Sequence, residues 1–458
     1  MPFYKNQIIT LKILSLSSDG SGVGKYDGQA VFVPFTAPGD ELLVKIVKPC
    51  QTYAFGIIEK ILNKSKARVE PDCAFFGKCG GCALRHISYE SELIEKRGFV
   101  YDSMLRLGGI EAPVSNTIPS PDLNRNRNKV QLPVFTDDDG KVKTGFFAGR
   151  SHRIIPCEDC LLQPLIFTQI LSAVCALLTQ YHISCYNELR GTGLMRHIYL
   201  RHAVSTNKVM VCFVINGKAL PHSDKIVKAL VADFPEISTI VINVNTKITN
   251  VITGSECITL YGSGVLEDTL CDVPVSLSPL SFYQVNTLGA QQLYAVAALF
   301  ANVQKNEILL DLYCGAGTIG LSMAKDCKQL IGVEIVPDAI RSAIKNAEIM
   351  GISHAKFICA DASNAAAELL QDGTRPDVVI MDPPRKGSDV ATMDAVVSMA
   401  PSRIVMVSCN AATAARDCKY LSQQGYTPTA IQPVDMFPRT RHVEAIILMT
   451  YCGDKPKK

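Results

Sequence analysis

Short runs in which apolar and polar residues alternate, such as ITLKILSL and ELLVKIV, fill residues 1–62, separated by turn-rich DGSGVGKYDGQ and TAPGDE. A period of two buries one side of each strand, and strands this short and closely spaced predict a small antiparallel barrel of about five strands. The pattern breaks at KSKARVEPDCAFFGKCGGCALRH, which is basic at first and then rich in cysteine and glycine; helical spacing follows in YESELIEKRGFVYDSMLRL. Between 125 and 270 a hairpin-like segment, KVQLPVFTDDDGKVKTGFFAG with DDDG as its turn, leads into mixed helix and strand. From about residue 272 strand-then-helix units repeat, the sequence form of a doubly wound parallel sheet. The expected fold class is therefore α/β. Its domains are a barrel over 1–62, a central α+β domain over 63–270, and a Rossmann-like domain over 271–458, on which the helix within about 90–120 can pack. No internal repeat or low-complexity tract is present.

Of the 458 residues, 47% are hydrophobic and 19% charged, which places the chain among globular proteins. A net charge of +3 is too small to argue for a nucleic-acid partner, so any such footprint has to come from local clustering. MPFYKNQIIT has no apolar core followed by a small-residue cleavage site, and no uncharged apolar run reaches bilayer-spanning length. Seventeen cysteines then point to a reducing, cytoplasmic setting without a membrane partner. Cys175, Cys212, Cys327 and Cys359 sit in apolar stretches and read as packing residues.

Within 307–324, EILLDLYCGAGTIGLSMA reads as a buried strand, a glycine turn at Gly315 and Gly317, and the start of a helix. Such a turn lets backbone approach a ligand at the carboxyl edge of the sheet. The next strand ends in Glu334, which can accept from ribose hydroxyls, and the third in Asp361, which can meet an adenine amino group. The spacing of GAGTIG also fits G-x-G-x-x-G, so this turn alone leaves nicotinamide and S-adenosylmethionine both open.

The following strands favour S-adenosylmethionine. DVVIMDPPRKG ends in Asp382-Pro383-Pro384-Arg385, a rigid turn that aims a carboxylate into the crevice. RIVMVSCN puts Cys409 at the same edge between Ser408 and Asn410, polar surroundings in which a thiolate can form and react. Sheets of this kind in methyltransferases end on a reversed strand. Glu444, at the head of VEAIILMTY, would then lie over the same crevice as a general base. Carbon 5 of a pyrimidine becomes nucleophilic only after addition at carbon 6. A thiolate and a base together therefore suit pyrimidine C5 methylation, and would be redundant for most transfers to nitrogen or oxygen.

CAFFGKCGGC, SFYQVN, DLYCGAGTIGL, MDPPRKG, VSCNAATAARD and VDMFPRTRHVE together resemble the RNA 5-methyluridine methyltransferases, in particular the 23S ribosomal type. The likeness spans nearly the whole chain, and the N-terminal barrel resembles a TRAM domain. It implies that Cys409 is the nucleophile and Glu444 the base, that Gln284, Tyr313, Gly315, Gly317, Glu334, Asp361 and Asp382 serve the cofactor and uracil sites, and that Arg127 lies near the target base. It also implies a [4Fe-4S] cluster on Cys73, Cys79, Cys82 and Cys160, with a structural or RNA-docking role. By spacing alone zinc is a fair rival, and Cys157 competes with Cys160. Transfer-RNA relatives generally lack the cysteine cluster and the barrel, so 23S ribosomal RNA is the expected partner and a monomer the expected state.

Three basic groups offer phosphate contacts: Arg125, Arg127 and Lys129; Arg150, His152 and Arg153; and Arg196, His197, Arg201 and His202. Tyr53 and Phe55 are candidate exposed aromatics on the barrel. A cytosine-C5 enzyme would carry a second cysteine beside a proline where Asp382-Pro383 stands. An amino-methylating enzyme would have an aromatic in place of Arg385. A non-catalytic RNA-binding factor would need neither Cys409 nor Glu444.

Overall fold

The computed structural model describes residues 3–453. In chain order the elements are β1 (Ile8–Leu16), β2 (Gly22–Tyr26), β3 (Gln29–Val33), β4 (Glu41–Pro49), β5 (Tyr53–Asn63), α1 (Tyr89–Ser103), β6 (Lys129–Thr136), β7 (Val142–Phe147), β8 (Ile154–Pro156), α2 (Leu165–Gln180), β9 (Met195–Ala203), β10 (Lys208–Ile215), α3 (Ser223–Asp233), β11 (Ile237–Val244) and β12 (Glu256–Tyr261). The C-terminal portion continues with β13 (Leu266–Leu270), β14 (Val273–Leu277), α4 (Thr287–Ala301), β15 (Ile308–Leu312), α5 (Thr318–Met323), β16 (Gln329–Glu334), α6 (Pro337–Ile349), β17 (Ala355–Cys359) and α7 (Ala362–Gln371). It closes with β18 (Val378–Met381), α8 (Val390–Met399), β19 (Arg403–Ser408), α9 (Ala411–Gln423), β20 (Tyr426–Val434) and β21 (Glu444–Tyr451). Among the described residues no helix is long and apolar enough to cross a membrane.

Two compact units interleave along the chain. One holds the described residues of Met1–Ser120, Pro383–Ser388 and Met406–Lys458; the other holds Pro121–Asp382 and Asp389–Val405. In the first unit β1 to β5 close into a barrel in the order β1-β2-β3-β5-β4. Ile9, Leu11, Ile13, Val31, Val33, Leu42, Val44 and Ile46 fill it, and their alternation along the strands is the pattern read in the sequence. The all-antiparallel expectation is corrected at one seam, where β3 runs parallel to β5. Five strands cannot alternate direction all the way round a closed ring, so one parallel pair is forced. Helix α1 starts at Ser88, whose side chain accepts from the Ser91 N–H, and its last turn widens into a π-turn over Met104–Gly108. Beyond it Val114 and Ile118 bridge in parallel to Ile431 and Val434 of β20.

In the second unit a sheet runs in the order β12-β11-β10-β9-β6-β7-β8, and the expected hairpin at DDDG is β6–β7. Phe167, Ile170 and Val174 of α2 share its core with Ile198, Leu200, Val211 and Phe213. The doubly wound sheet follows in the order β17-β16-β15-β18-β19-β21-β20, with β17, β16, β15 and β18 parallel neighbours in register. The chain passes from one unit to the other inside β19. Cys212 and Cys327 are buried as expected and Cys175 partly so, but Cys359 is exposed at the end of an edge strand. Its apolar neighbours FI misled the reading, because an edge strand ending in a loop leaves its last side chain in water.

Candidate active site

Of the residues expected to serve the cofactor, Tyr313, Gly315, Gly317, Glu334 and Asp382 lie at the carboxyl ends of β15, β16 and β18. Tyr313 leaves β15 with φ of 66°, and Gly315 and Gly317 follow at 56° and 79°. The turn is thus built from left-handed residues, which glycine adopts without cost. Glu334 closes β16 and fixes the turn: its Oε2 accepts from the Gly315 N–H at 3.2 Å, and Oε1 accepts from Val336 at 2.9 Å. Asp361 lies two residues beyond β17 rather than on it. There it caps α7, its Oδ1 accepting from the Ser363 N–H at 3.0 Å and from the Ser363 hydroxyl at 2.6 Å. The Gln284 carbonyl accepts from Asn128 Nδ2 at 2.8 Å, tying the segment before α4 to the start of β6.

Two carboxyls in this unit are held far from their ordinary state. Asp382 follows β18, and burial pushes its pKa up to about 7. Asp311, inside β15, is 1% exposed. Burial raises it to about 7; the Gly320 N–H, donating to Oδ2 at 2.9 Å, opposes the rise, and the charges of Asp382 and Glu334 add to it. Asp311 Oδ1 has no hydrogen-bond partner. A buried unpaired carboxyl oxygen among three acids leaves a site short of positive charge and of donors. S-adenosylmethionine brings a sulfonium, an ammonium and ribose hydroxyls, so these residues fit it. Sequence reasoning passed over Asp311, although an acid inside the otherwise apolar ILLDL was the signal.

In the first unit Cys409 is the residue after β19 and is partly exposed. Ser408 Oγ accepts from the Asn410 N–H at 3.2 Å and donates to the Asn410 carbonyl at 3.1 Å, closing a tight turn around Cys409. Asn410 caps α9, accepting from Ala412 at 3.1 Å, and its Nδ2 donates to the Arg385 carbonyl at 3.1 Å. The N-cap of α9 is thus the residue that follows the thiol. Arg416 and Asp417 of the same helix hold the Lys386 and Ser388 backbone. Glu444, 5% exposed, opens β21 and pairs with Val434, the last residue of β20.

Cys73, Cys79 and Cys82 share one loop of the first unit. Burial pushes the Cys79 thiol up, the Gly81 N–H opposes this from 3.3 Å, and Cys82 and Cys73 raise it further. Arg85 pairs with Asp72 at 2.6 Å and bonds to the Cys82 thiol. Among the described residues no three His, Cys, Asp or Glu side chains are gathered as a metal-binding group. In the second unit Cys157 is buried and Cys160 partly exposed, on a loop held by Arg125, which grips both Asp159 oxygens at 2.6 and 2.7 Å.

The third basic group is a correction. Arg196 and Arg201 are 5% and 1% exposed and donate to backbone carbonyls, Arg196 to Asn245 and Lys247, and Arg201 to Ser278 and Ser281. His197 is buried as well, and its pKa falls to about 4. Burial lowers Lys129 to about 8, with Arg201 and Arg127 adding to the fall. Arg127 is partly exposed, its N–H bonded to the Leu162 carbonyl at 2.9 Å. On the barrel Tyr53 is exposed, while Phe55 is half-buried against Phe32 and Tyr53.

A glycine turn after the first strand of a doubly wound sheet, an acid closing the second and the buried Asp311 inside the first fit a class I, S-adenosylmethionine-dependent methyltransferase. The tRNA (Uracil-5-)-methyltransferase family matches residues 276–451, and the TRAM domain matches residues 2–58. An uncharacterized RNA methyltransferase of Clostridium tetani is 40% identical over 457 residues, covering 100% of this chain and 99% of its own. One of Halalkalibacterium halodurans is 39% identical, covering 98% of each chain. The crystal structure of Pyrococcus abyssi tRNA (uracil-54, C5)-methyltransferase in complex with S-adenosyl-L-homocysteine superposes with a TM-score of 0.77 at 28% identity, covering 96% of this chain and 100% of that one. The chain belongs to the RNA uracil-C5 methyltransferase family.

Proposed function

We propose that this chain methylates C5 of a uridine in 23S ribosomal RNA in the cytoplasm, as a monomer, with Cys409 as nucleophile and Glu444 as base. One observation carries the reading: Cys409 directly follows β19, and Glu444 opens its neighbour β21 in register with the end of β20. A strand–helix–strand crossover through α9 returns β20 in the direction of β19, and β21 is antiparallel to β20. The base therefore starts at the edge where the nucleophile's strand stops.

The Cys409 thiolate adds to C6 of the uracil, forming a C6–S bond and moving the C5–C6 electron pair into an enolate. S-adenosylmethionine, when bound, supplies an electrophilic methyl group, which C5 takes up. Glu444 then accepts the C5 proton, the C6–S bond breaks, and the thiolate is regenerated. Gln284, Tyr313, Gly315, Gly317, Glu334 and Asp361 are assigned to the cofactor, Asp382 to cofactor and uracil, and Arg127 to the target nucleotide. That uridine has to leave its stack to reach Cys409.

Cys73, Cys79, Cys82 and Cys160 would hold the [4Fe-4S] cluster. The shared thiol loop, with N–H and guanidinium donors on its sulfurs, supports this. Methyl transfer needs no electrons, so its role is structural or in RNA docking. Anaerobically purified protein should be brown, with about four iron and four labile sulfide per chain; a colourless zinc protein would sink the assignment.

Ribosomal RNA rests on the cysteine motif. The barrel does not discriminate, because the likeness to the archaeal tRNA enzyme covers 96% of the chain and so reaches into it. A tRNA uridine is accordingly the second reading. RNA carrying 5-fluorouridine, offered as 23S fragments and as tRNA transcripts, should trap a denaturant-stable adduct that Cys409→Ala abolishes. No adduct, or one surviving Cys409→Ala, defeats the mechanism and favours a binding-only factor; the RNA that traps names the target.

A further inference from the structure

We propose that Lys96, Asp435 and Tyr89 form a buried clamp that positions Glu444 for proton removal, acting through the loop that joins β20 to β21. This rests on the reading of Glu444 as the base. The loop starts at Asp435, next to Val434, and ends at Glu444, which pairs with Val434 across the hairpin. Slack at Asp435 is therefore passed to the residue facing the base.

The charged centre of the clamp is internal, with Glu92, Lys96 and Asp435 each 0% exposed, and Tyr89 is half-buried. Lys96 Nζ donates to Asp435 Oδ1 at 2.7 Å, to Glu92 Oε1 at 2.8 Å and to the Phe437 carbonyl at 3.1 Å. The Tyr89 hydroxyl donates to Asp435 Oδ2 at 2.8 Å and accepts from the Ser120 N–H at 2.7 Å. Asp435 Oδ1 also accepts from the Phe437 N–H at 3.1 Å. Midway along the loop the Arg439 N–H donates to Glu92 at 2.7 Å, and the Arg439 carbonyl accepts from Ala83 and Leu84, both at 3.0 Å. Arg439 is held at φ of 68°, a left-handed conformation that a side chain adopts only at a cost.

Buried ion clusters add little net stability, since desolvation offsets the attraction. What this one supplies is a single loop geometry, over-determined by groups on α1 and on the segment after Cys82. None of these side chains has a step of its own in the methyl transfer, so they are positioning residues. A misplacement of about 1 Å can cost roughly 10²-fold in a proton transfer.

The mechanism gives a readout that a merely structural role would not move, because Glu444 acts only after C6 addition and methyl transfer. Asp435→Asn and Tyr89→Phe are to be compared with Glu444→Gln, in the full chain with S-adenosylmethionine and the unmodified RNA that gives the 5-fluorouridine adduct. The expected result for both variants is a first-turnover methyl transfer within about threefold of wild type, steady-state turnover reduced by up to roughly 10²-fold, and a methylated protein–RNA adduct that accumulates as in Glu444→Gln. Should Asp435→Asn fail to fold, Tyr89→Phe decides. Folded variants that lose first turnover and steady state together, or lose neither, overturn the clamp while Glu444→Gln still accumulates adduct. If Glu444→Gln itself accumulates none, the base assignment falls, and the clamp with it.

Discussion

Asp311 and Asp382 carry the clearest chemical consequence at the scale of single residues. Both carboxyls are lifted from an ordinary 3.8 to about 7. A raised folded value favours the protonated form in the native state. Its contribution to stability is complete below about pH 4 and is lost as pH rises through 7. A cationic ligand reverses the preference, because it binds the ionised carboxylates. S-adenosylmethionine affinity should therefore increase with pH, roughly tenfold between pH 6 and 8 for each such group that faces it. Calorimetric titration at pH 6, 7 and 8 measures this, with proton release on binding. Asp311→Asn should flatten the profile, and an affinity that is level or falling in the wild type contradicts the argument.

Among the elements, α5 shows how closely a helix is docked on its strand. A Cβ at Gly320 would stand 2.8 Å from both Asp311 Oδ2 and Leu330 Cδ1. Alanine suits a helix better than glycine by up to about 1 kcal/mol, but overpacking here costs about 1–3 kcal/mol and pushes on the glycine turn. Gly320→Ala is expected to lower the melting temperature and to weaken S-adenosylmethionine binding, read by thermal shift with and without ligand. The strands and the glycine turn of this region were legible because their patterns are local: ILLDL, QLIGVE and VVIM are apolar runs closed by turn residues. Asp361 was misplaced onto a strand because capping chemistry and strand ends look alike in sequence. Arg196 and Arg201 looked like RNA contacts because residue type does not show that a distant carbonyl is waiting. The parallel seam of the barrel follows from strand count, which the turns had already given to within one.

At the scale of the molecule, sequence order and compact units part company. Residues up to Ser120 share a unit with Pro383–Ser388 and with Met406 onwards, whereas hydropathy along the chain marks only where patterns change. Tyr89, Glu92 and Lys96 gave no signal as a group with Asp435, since nothing local joins residues so far apart; their distance could be closed only in three dimensions. That separation also bears on how the protein is made. Lys96 and Asp435 stand 339 positions apart, so at roughly 5–20 residues per second a ribosome adds the carboxylate some 15–70 seconds after the lysine. Throughout that interval Glu92 and Lys96 exist as a pair without their third member. The N-terminal segment must wait, half-finished, until Asp435 is synthesised, which makes the nascent protein a natural client for a chaperone that shelters early helices.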